Sequence, residues 1–282
     1  MALRRLGIFG NASRADALTA AHAVLRFAKR RHLRVSAETA MALALQEPRV
    51  SVPAERVAQE SDLCVVLGGD GTLLRVAQLD PKGPVLAVNA GNLGFVTEVA
   101  SSQVVRALQG MLSGQTRIAS RMMLEADVMR GGKRVARYHA LNDAVLHSMA
   151  LARLTRLIVR VDGEAVTEFR ADGAIVATPT GSTAYSMACD GPIILPALDA
   201  LLLTPICAHP LTLRPLVVPP SSEIAVEVGE PRQKTMLTVD GQIGLELAPG
   251  DVVVVRRRRR RFRLAQLATT SYFATLREKL RW

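Results

Sequence analysis

Aromatic side chains are scarce in this sequence: six Phe, three Tyr and one Trp among 282 residues. Surfaces that stack nucleobases need such rings, so a base-stacking surface is not supported. Cysteine is scarce too. Cys64, Cys189 and Cys207 are scattered without the spacing of metal ligands. That pattern fits a reducing cytosol and leaves out a disulfide framework. His139, His147 and His209 likewise lack metal-ligand spacing. No apolar run reaches the roughly 18 residues of a membrane span. No membrane partner is therefore expected, and the expected location is cytoplasmic. The opening Met1–Gly10 carries two arginines and only a short apolar segment, which reads as a first strand and not as a signal peptide. Internal repeats and long disordered linkers are absent.

Acidic residues are also short, 25 against 36 basic, for a net charge of +11. From Arg256 to Trp282 there are ten basic residues and one acidic, so +9 lies there and about +2 elsewhere. Six of these charges form one run, Arg256–Arg261. Such a run can bind nucleic acid or another polyanion, or it can be a solvated strand face. Asp251–Val255 before it and Phe262–Leu264 after it read as strand, and only Phe262 adds a ring. A strand face is the favoured reading, and nucleic acid is not an expected partner.

What remains is an ordinary globular composition, 49% hydrophobic and 22% charged, with length for roughly two domains. Residues 1–115 alternate strand and helix. Leu6–Phe9, Leu33–Ser36, Leu63–Leu67 and Val85–Asn89 read as strands, with helices over 15–32, 54–59 and 101–112. This predicts an α/β domain with an open, mostly parallel sheet. Ligands bind such sheets at the carboxyl ends of strands, where Gly68–Thr72 and Asn89–Gly94 fall. From about Arg117 the pattern changes to period two, in Met123–Val128, Leu157–Val161, Glu223–Val228 and Thr235–Val239. Gly131-Gly132 and Asp162-Gly163 are hairpin signals. An antiparallel, sandwich-like all-β domain is predicted over 116–265. A helix is predicted over 271–282, with 266–282 returning to the first domain.

The most informative stretch is Gly68-Gly69-Asp70-Gly71-Thr72, set between the apolar Leu63–Leu67 and a helix start at Leu73–Ala77. Strand, glycine turn and helix start expose backbone N–H groups to an anion, and glycine lets a phosphate approach closely. A carboxylate there suggests phosphoryl transfer to a hydroxyl, with Asp70 receiving the proton or positioning the acceptor. The alternative is a plain turn in which Asp70 caps the helix. Further on, Asn142-Asp143 interrupts an apolar stretch, as a site or as an Asx turn. Arg170-Ala171-Asp172-Gly173 precedes the apolar Ala174–Ala177. Thr178–Ser186 packs five Ser/Thr residues into nine positions, as ligand donors or as a helix cap. Asp240-Gly241-Gln242 alone is a turn.

Taken in order, GGDGT at 68–72, Asn89–Thr97, Leu141-Asn142-Asp143, Arg170–Gly173, Thr178–Ser186, Asp240–Gln242 and Ser271–Phe273 resemble the NAD kinase family over nearly the whole chain. GGDGT alone is shared with diacylglycerol and sphingosine kinases. A lipid kinase is therefore the rival enzyme, and a polyanion or nucleic-acid binder acting through Arg256–Arg261 is the rival of another class. The resemblance implies transfer of the terminal phosphoryl group of ATP, or of polyphosphate, to the 2′-hydroxyl of NAD's adenosine ribose. Asp70 would be the proton acceptor, with Gly71 against NAD. Gly68, Gly69, Gly71 and Thr72 would shape the donor-phosphate site, and Arg75 would sit near phosphates. Phe95 would pack on the adenine side, and Asn142 and Asp143 would hold ribose hydroxyls. Arg153 stands at a position often basic in the family. Arg170 and Asp172 would reach the other end of the dinucleotide, often from a neighbouring subunit. Thr183, Ala184, Tyr185, Ser186, Met187 and Ala188 would line the adenine and ribose pocket, and Gln242 would close it. The implied cofactor is a divalent metal, Mg²⁺, carried with the donor phosphates and without a protein-built metal site. The implied assembly is a homodimer or homotetramer. The chain departs from the family pattern at Cys189-Asp190-Gly191-Pro192, at Asn11–Arg14 and in the length of the arginine run.

Overall fold

The computed structural model describes residues 3–91, 94–97, 99–149, 154–210, 212–229, 234–267 and 271–282. The chain forms two compact units, Met1–Ser120 with Phe262–Trp282, and Arg121–Arg261.

The first unit begins with β1 (Arg5–Gly10), α1 (Ala15–Arg30), β2 (Arg34–Glu38), α2 (Thr39–Ala44), β3 (Ser51–Val52), α3 (Ala54–Glu60) and β4 (Leu63–Gly68). It continues with α4 (Asp70–Gln78), β5 (Val85–Asn89), β6 (Val99–Ala100), α5 (Val104–Leu112) and β7 (Thr116–Arg121). One eight-stranded sheet results, in the order β3-β2-β1-β4-β5, then the late strand Phe262–Leu267, then β7, with β6 on β5. The pairs among β1 to β6 are parallel. A parallel strand covered on both faces must be apolar throughout, and every residue of β4 and β5 is buried. Helix α1 buries Ala17, Ala20, Ala21, Val24, Phe27 and Ala28, a stripe of helical spacing, into this unit's core.

The second unit contains β8 (Leu124–Arg130), β9 (Lys133–Ala140), β10 (Asp143–Ser148), β11 (Thr155–Val161), β12 (Glu164–Ala171) and β13 (Gly173–Ala177). Helix α6 (Tyr185–Ala188) follows, then β14 (Leu201–Ile206), β15 (Leu216–Val218), β16 (Ile224–Val228), β17 (Thr235–Val239), β18 (Ile243–Leu247) and β19 (Val252–Arg257). Two six-stranded antiparallel sheets form, β15-β14-β13-β10-β17-β18 and β12-β11-β16-β19-β8-β9. Alternate residues of both enter one core, among them Leu157 and Val159, Val226 and Val228, Val253 and Val255, Leu237 and Val239. Strand β13 is buried on both faces, because Ile175 and Ala177 enter a second cluster with Ile194, Leu202 and Ile206. Strand β20 (Phe262–Leu267) and helix α7 (Tyr272–Leu280) then complete the first unit.

The α/β sheet followed by antiparallel β sheets is the expected fold class. Both expected hairpin turns occur, with positive φ at Gly131, Gly132, Asp162 and Gly163. Strands β14, β15 and β18 and helix α2 had no clear signal in the sequence. No helix among the described residues is long and apolar enough to cross a membrane.

Candidate active site

In the first unit the candidate residues gather at the carboxyl ends of β4 and β5. Gly69 is extended and stands as N-cap of α4, with Asp70 the first helical residue. The Asp70 carboxylate faces the segment after β5. Its Oδ1 accepts from Thr97 N (3.0 Å), Thr97 Oγ1 (2.9 Å) and, more weakly, Val96 N (3.3 Å). Among the described residues its Oδ2 accepts only from Phe95 N, at 2.9 Å. A carboxylate offers about four lone-pair sites, so Oδ2 keeps one open. Gly94 is required here, since a Cβ on it would overlap the Asp70 carboxylate and the Thr97 hydroxyl. Asp70 therefore both opens the helix and anchors a turn. Thr97 and Gly94 lie within the Asn89–Thr97 motif, but nothing in the sequence marks them as the partners of Asp70.

Arg75 lies one turn further along α4. Its guanidinium forms a fork with Glu38, two bonds of 2.8 Å each. Glu38 also accepts Gly10 N at 2.8 Å and is itself buried. Arg75 is thus held beside the ends of β1 and β2 by a bidentate, charge-assisted pair. Glu38 was invisible to sequence reasoning, because nothing marks a carboxylate at a strand end as a partner for a residue 37 positions away. Phe95 is half-buried, with the Lys279 ammonium of α7 at 5.9 Å from its ring centroid. The Arg14 guanidinium lies against Gly91.

In the second unit Asp240 is the organising residue. Its carboxylate accepts the backbone N–H groups of Leu141 (2.9 Å), Asn142 (2.7 Å) and Asp143 (3.1 Å). Sequence reasoning treated Asp240 as only a turn residue. It does sit in the β17–β18 turn with φ of 51°, yet its side chain clamps the start of β10. Asn142 is 9% exposed, and among the described residues its Oδ1 has no hydrogen-bond partner. Asp143 is 5% exposed. Burial, reinforced by the neighbouring Asp240 charge, pushes its carboxyl up to about 7. A carboxyl poised there can both donate and accept near neutral pH.

The hydroxyl-rich segment is built differently from the expectation of free donors. Thr178 Oγ1 donates to Leu141 O at 2.6 Å and accepts Gly181 N at 3.0 Å. Ser182 Oγ bonds Pro179 O at 2.7 Å and accepts Ile194 N at 2.9 Å. Thr183 Oγ1 donates to Thr180 O at 3.2 Å. Ser186 is fully buried and bonds Thr204 of β14 at 2.8 Å. These hydroxyls fold the segment and do not stand free. Gly181 makes the close approach possible, because a Cβ there would strike the Asn142 backbone. Ala184 and Met187 are half-buried, while Tyr185 and Ala188 are exposed. Gln242 is exposed in its turn, and Arg170 and Asp172 are exposed around the end of β12. Arg153 lies outside the described residues.

The arginine run divides between strand and connector. Arg256 and Arg257 end β19, and the chain then leads to β20. Arg256 binds Glu223 at 2.6 Å and Asp127 at 3.3 Å. Arg261 binds Asp199 through bonds of 2.5 and 2.9 Å, and Arg257 approaches the same carboxylate at 3.6 Å. Arg261 holds the Asp199 carboxyl below the usual carboxylate range. Among the described residues no group of three or more His, Cys, Asp or Glu side chains could hold a metal ion.

Comparison with known proteins covers both units. Residues 6–116 match the ATP-NAD kinase N-terminal domain family, and residues 141–267 match the ATP-NAD kinase C-terminal domain family. The chain is 45% identical to an NAD kinase of Geotalea daltonii over 228 residues, 80% of each chain. It is 40% identical to an NAD kinase of Syntrophotalea carbinolica over 282 residues, 99% of each. It is similar to a crystal structure of yeast NADH kinase complexed with NADH, at TM-score 0.89 and 29% identity, covering 99% of this chain and 88% of that one. It shares the fold of an NAD kinase from Archaeoglobus fulgidus in complex with ATP, at TM-score 0.76 and 23% identity over 98% of both chains.

Proposed function

Because this chain belongs to the NAD kinase family, we propose that it transfers the terminal phosphoryl group of ATP to the 2′-hydroxyl of NAD's adenosine ribose, giving NADP. The observation that carries the reading is the Asp70 carboxylate, with Oδ1 saturated and Oδ2 holding one N–H. Four bonds orient the group, and one lone pair of Oδ2 remains to accept the hydrogen of an attacking hydroxyl. Little covalent help is needed in phosphoryl transfer, so positioning of this kind is the main requirement. Gly68, Gly69, Gly71 and Thr72 shape the donor-phosphate site, with Gly71 also against NAD. Arg75, steadied by Glu38, supplies positive charge near the phosphates.

Asn142 and Asp143 hold the ribose hydroxyls. The unpartnered Asn142 Oδ1 supports this, since a buried carbonyl oxygen without a donor costs stability that a ligand hydroxyl can restore. Phe95 packs on the adenine side. Thr183 to Ala188 line the adenine pocket through backbone and apolar surface, with Ser186 bracing the segment from behind. Gln242 closes the pocket. Arg153, Arg170 and Asp172 address the far end of the dinucleotide, the exposed pair from a neighbouring subunit of a homodimer or homotetramer. The enzyme works in the cytoplasm.

Mg²⁺ accompanies the donor phosphates. The residues fit that arrangement, because Mg²⁺ binds substrate phosphates and keeps several waters. The ion would be held by the donor phosphates and water, since among the described residues no protein cage of carboxylates exists and the open lone pair of Asp70 serves the attacking hydroxyl. When bound, the ion would neutralise charge on the phosphates.

The test is direct. Purified protein given NAD, ATP and Mg²⁺ should form NADP, and a parallel reaction with polyphosphate tells whether that donor serves. Diacylglycerol and sphingosine should remain unphosphorylated. A lipid kinase sharing the glycine turn has no use for the Asn142-Asp143 clamp. Phosphorylation of either lipid with NAD untouched would overturn the reading.

A further inference from the structure

A cavity of about 500 Å³ opens at the amino ends of the parallel strands of the first unit. The glycine turn lies at their carboxyl ends, one strand length away. For the six residues of β4 that is about 20 Å. The cavity walls come from five neighbouring strands in the order β2, β1, β4, β5, β20. Arg34 opens β2, Arg5 opens β1, and Arg4 precedes it. Asp62 precedes β4, Lys82 precedes β5, and Arg263 lies in β20. Arg5 and Arg34 are register partners.

Five cations thus meet at one mouth against two carboxylates. Both carboxylates are engaged. Asp62 Oδ2 accepts Arg4 N at 2.8 Å and Arg5 N at 2.9 Å, and Glu60 pairs with Arg56 at 2.7 Å. Among the described residues none of the five cations has an ion-pair partner, and only Arg263 spends its side chain on a hydrogen bond, to the Lys82 carbonyl. All five are exposed. Like charges crowded into a concave mouth repel one another and raise the local concentration of anions.

We propose that this cavity binds a linear oligophosphate. The cations are spread over four strand spacings, about 19 Å, which exceeds the reach of a single phosphate and suits a chain of them. Arginine forks match phosphate oxygens two at a time. The lining contains no aromatic residue, so bases would find nothing to stack on. The ligand is recognised by its repeated phosphates and not by a nucleoside.

Equilibrium dialysis of labelled tripolyphosphate against the full chain at low salt should find two sites, one at the glycine turn and one here. Arg4→Gln combined with Arg34→Gln removes two charges whose side chains bind no described residue. This variant should weaken the second site by about tenfold or more, with the KM for ATP moving less than about twofold. Binding to the second site should also fall steeply with added salt. A single wild-type site retained by the double variant, or two sites retained by it, overturns the proposal. A single site abolished by the double variant upholds the cavity and counts against the glycine turn as a phosphate site. Oligonucleotide binding that the double variant loses, with tripolyphosphate binding unchanged, assigns the mouth to nucleic acid and overturns the proposal.

Discussion

Asp70 carries two duties that a single substitution mixes. It is the proposed proton acceptor, and it also ties down residues 95–97 through four hydrogen bonds. Asp70→Asn should lower kcat by about 10²-fold or more, as when a general base is lost. Thr97→Val removes only one of the anchoring bonds and should cost about 1 kcal/mol of stability, with kcat falling less than about tenfold. Steady-state kinetics beside thermal melts separates the two duties. Equal loss of kcat in both variants would mean that Asp70 is an anchor and not an acceptor. Asp143 offers a second test. Its carboxyl lies near 7 in the folded chain against an ordinary 3.8. Between those values the folded state keeps a proton that the unfolded state has released. The stability linked to this proton is full below about pH 4 and is lost as pH rises through about 7. Asp143→Asn should therefore gain stability relative to wild type on going from pH 5 to pH 8, read as the difference in melting temperature. A constant difference would show that the carboxyl does not titrate there. Asp143→Ala should raise the KM for NAD by roughly 5- to 150-fold and the KM for ATP much less. Equal weakening of both substrates would make Asp143 a residue of the fold alone.

At the scale of elements, two glycines allow two turns to close on their partners. Gly94 leaves room for the Asp70 carboxylate, and Gly181 leaves room for the Asn142 backbone. Adding a methyl group at either place forces a shift in close-packed surroundings, for about 1–3 kcal/mol. Similar losses of stability should have different kinetic faces. Gly94→Ala disturbs the proton acceptor and should act on kcat. Gly181→Ala disturbs the ribose clamp and should act on the KM for NAD. A common kinetic signature in the two variants would contradict the separate roles given to these turns. The hydroxyl-rich segment belongs to the same scale. Thr178, Ser182, Thr183 and Ser186 spend their side chains on carbonyls, backbone N–H groups and Thr204. The motif therefore specifies a backbone shape that packs against Leu141 and Asn142.

At the scale of the whole molecule, each unit has its own apolar core. Cys64 sits inside the first of these units, fully buried in β4, and burial pushes its thiol up to about 12. Cys207 is exposed, in the second unit. Thiolate is the reactive form, so a buried thiol of this kind is inert until its surroundings open. Pulse alkylation read by mass spectrometry should mark Cys207 in the native protein. Cys64 should be marked only in denaturant that melts the first unit. Native labelling of Cys64 at the rate of Cys207 would show that the central strand of that unit opens locally. The charge of the molecule also has to be read at this scale. Arg256, Arg257 and Arg261 are taken up by Asp127, Glu223 and Asp199. Five cations without acidic partners among the described residues gather instead at the amino ends of the parallel strands.

The sequence by itself determined the two grammars of the chain, because period two and helical spacing are local consequences of which face each residue must bury. It determined the glycine turn as well, since a strand ending in Gly68 and a helix starting at Asp70 need only near neighbours to form. Contacts that join distant positions were decided by tertiary structure alone. Glu38 meets Arg75, Asp240 clamps residues 141–143, and Thr97 meets Asp70, all across separations that no local pattern encodes. Strands β14 and β18 stayed unread for a related reason. In β14 the run Leu201-Leu202-Leu203-Thr204-Pro205-Ile206 carries no alternation and holds a proline, and in β18 the alternating Ile243-Gly244-Leu245-Glu246-Leu247 is weakened by glycine. The five cations at the strand mouths come from Arg4, Arg5, Arg34, Lys82 and Arg263 and are unremarkable in sequence. They become neighbours only because parallel strands bring all their amino ends to one edge of the sheet.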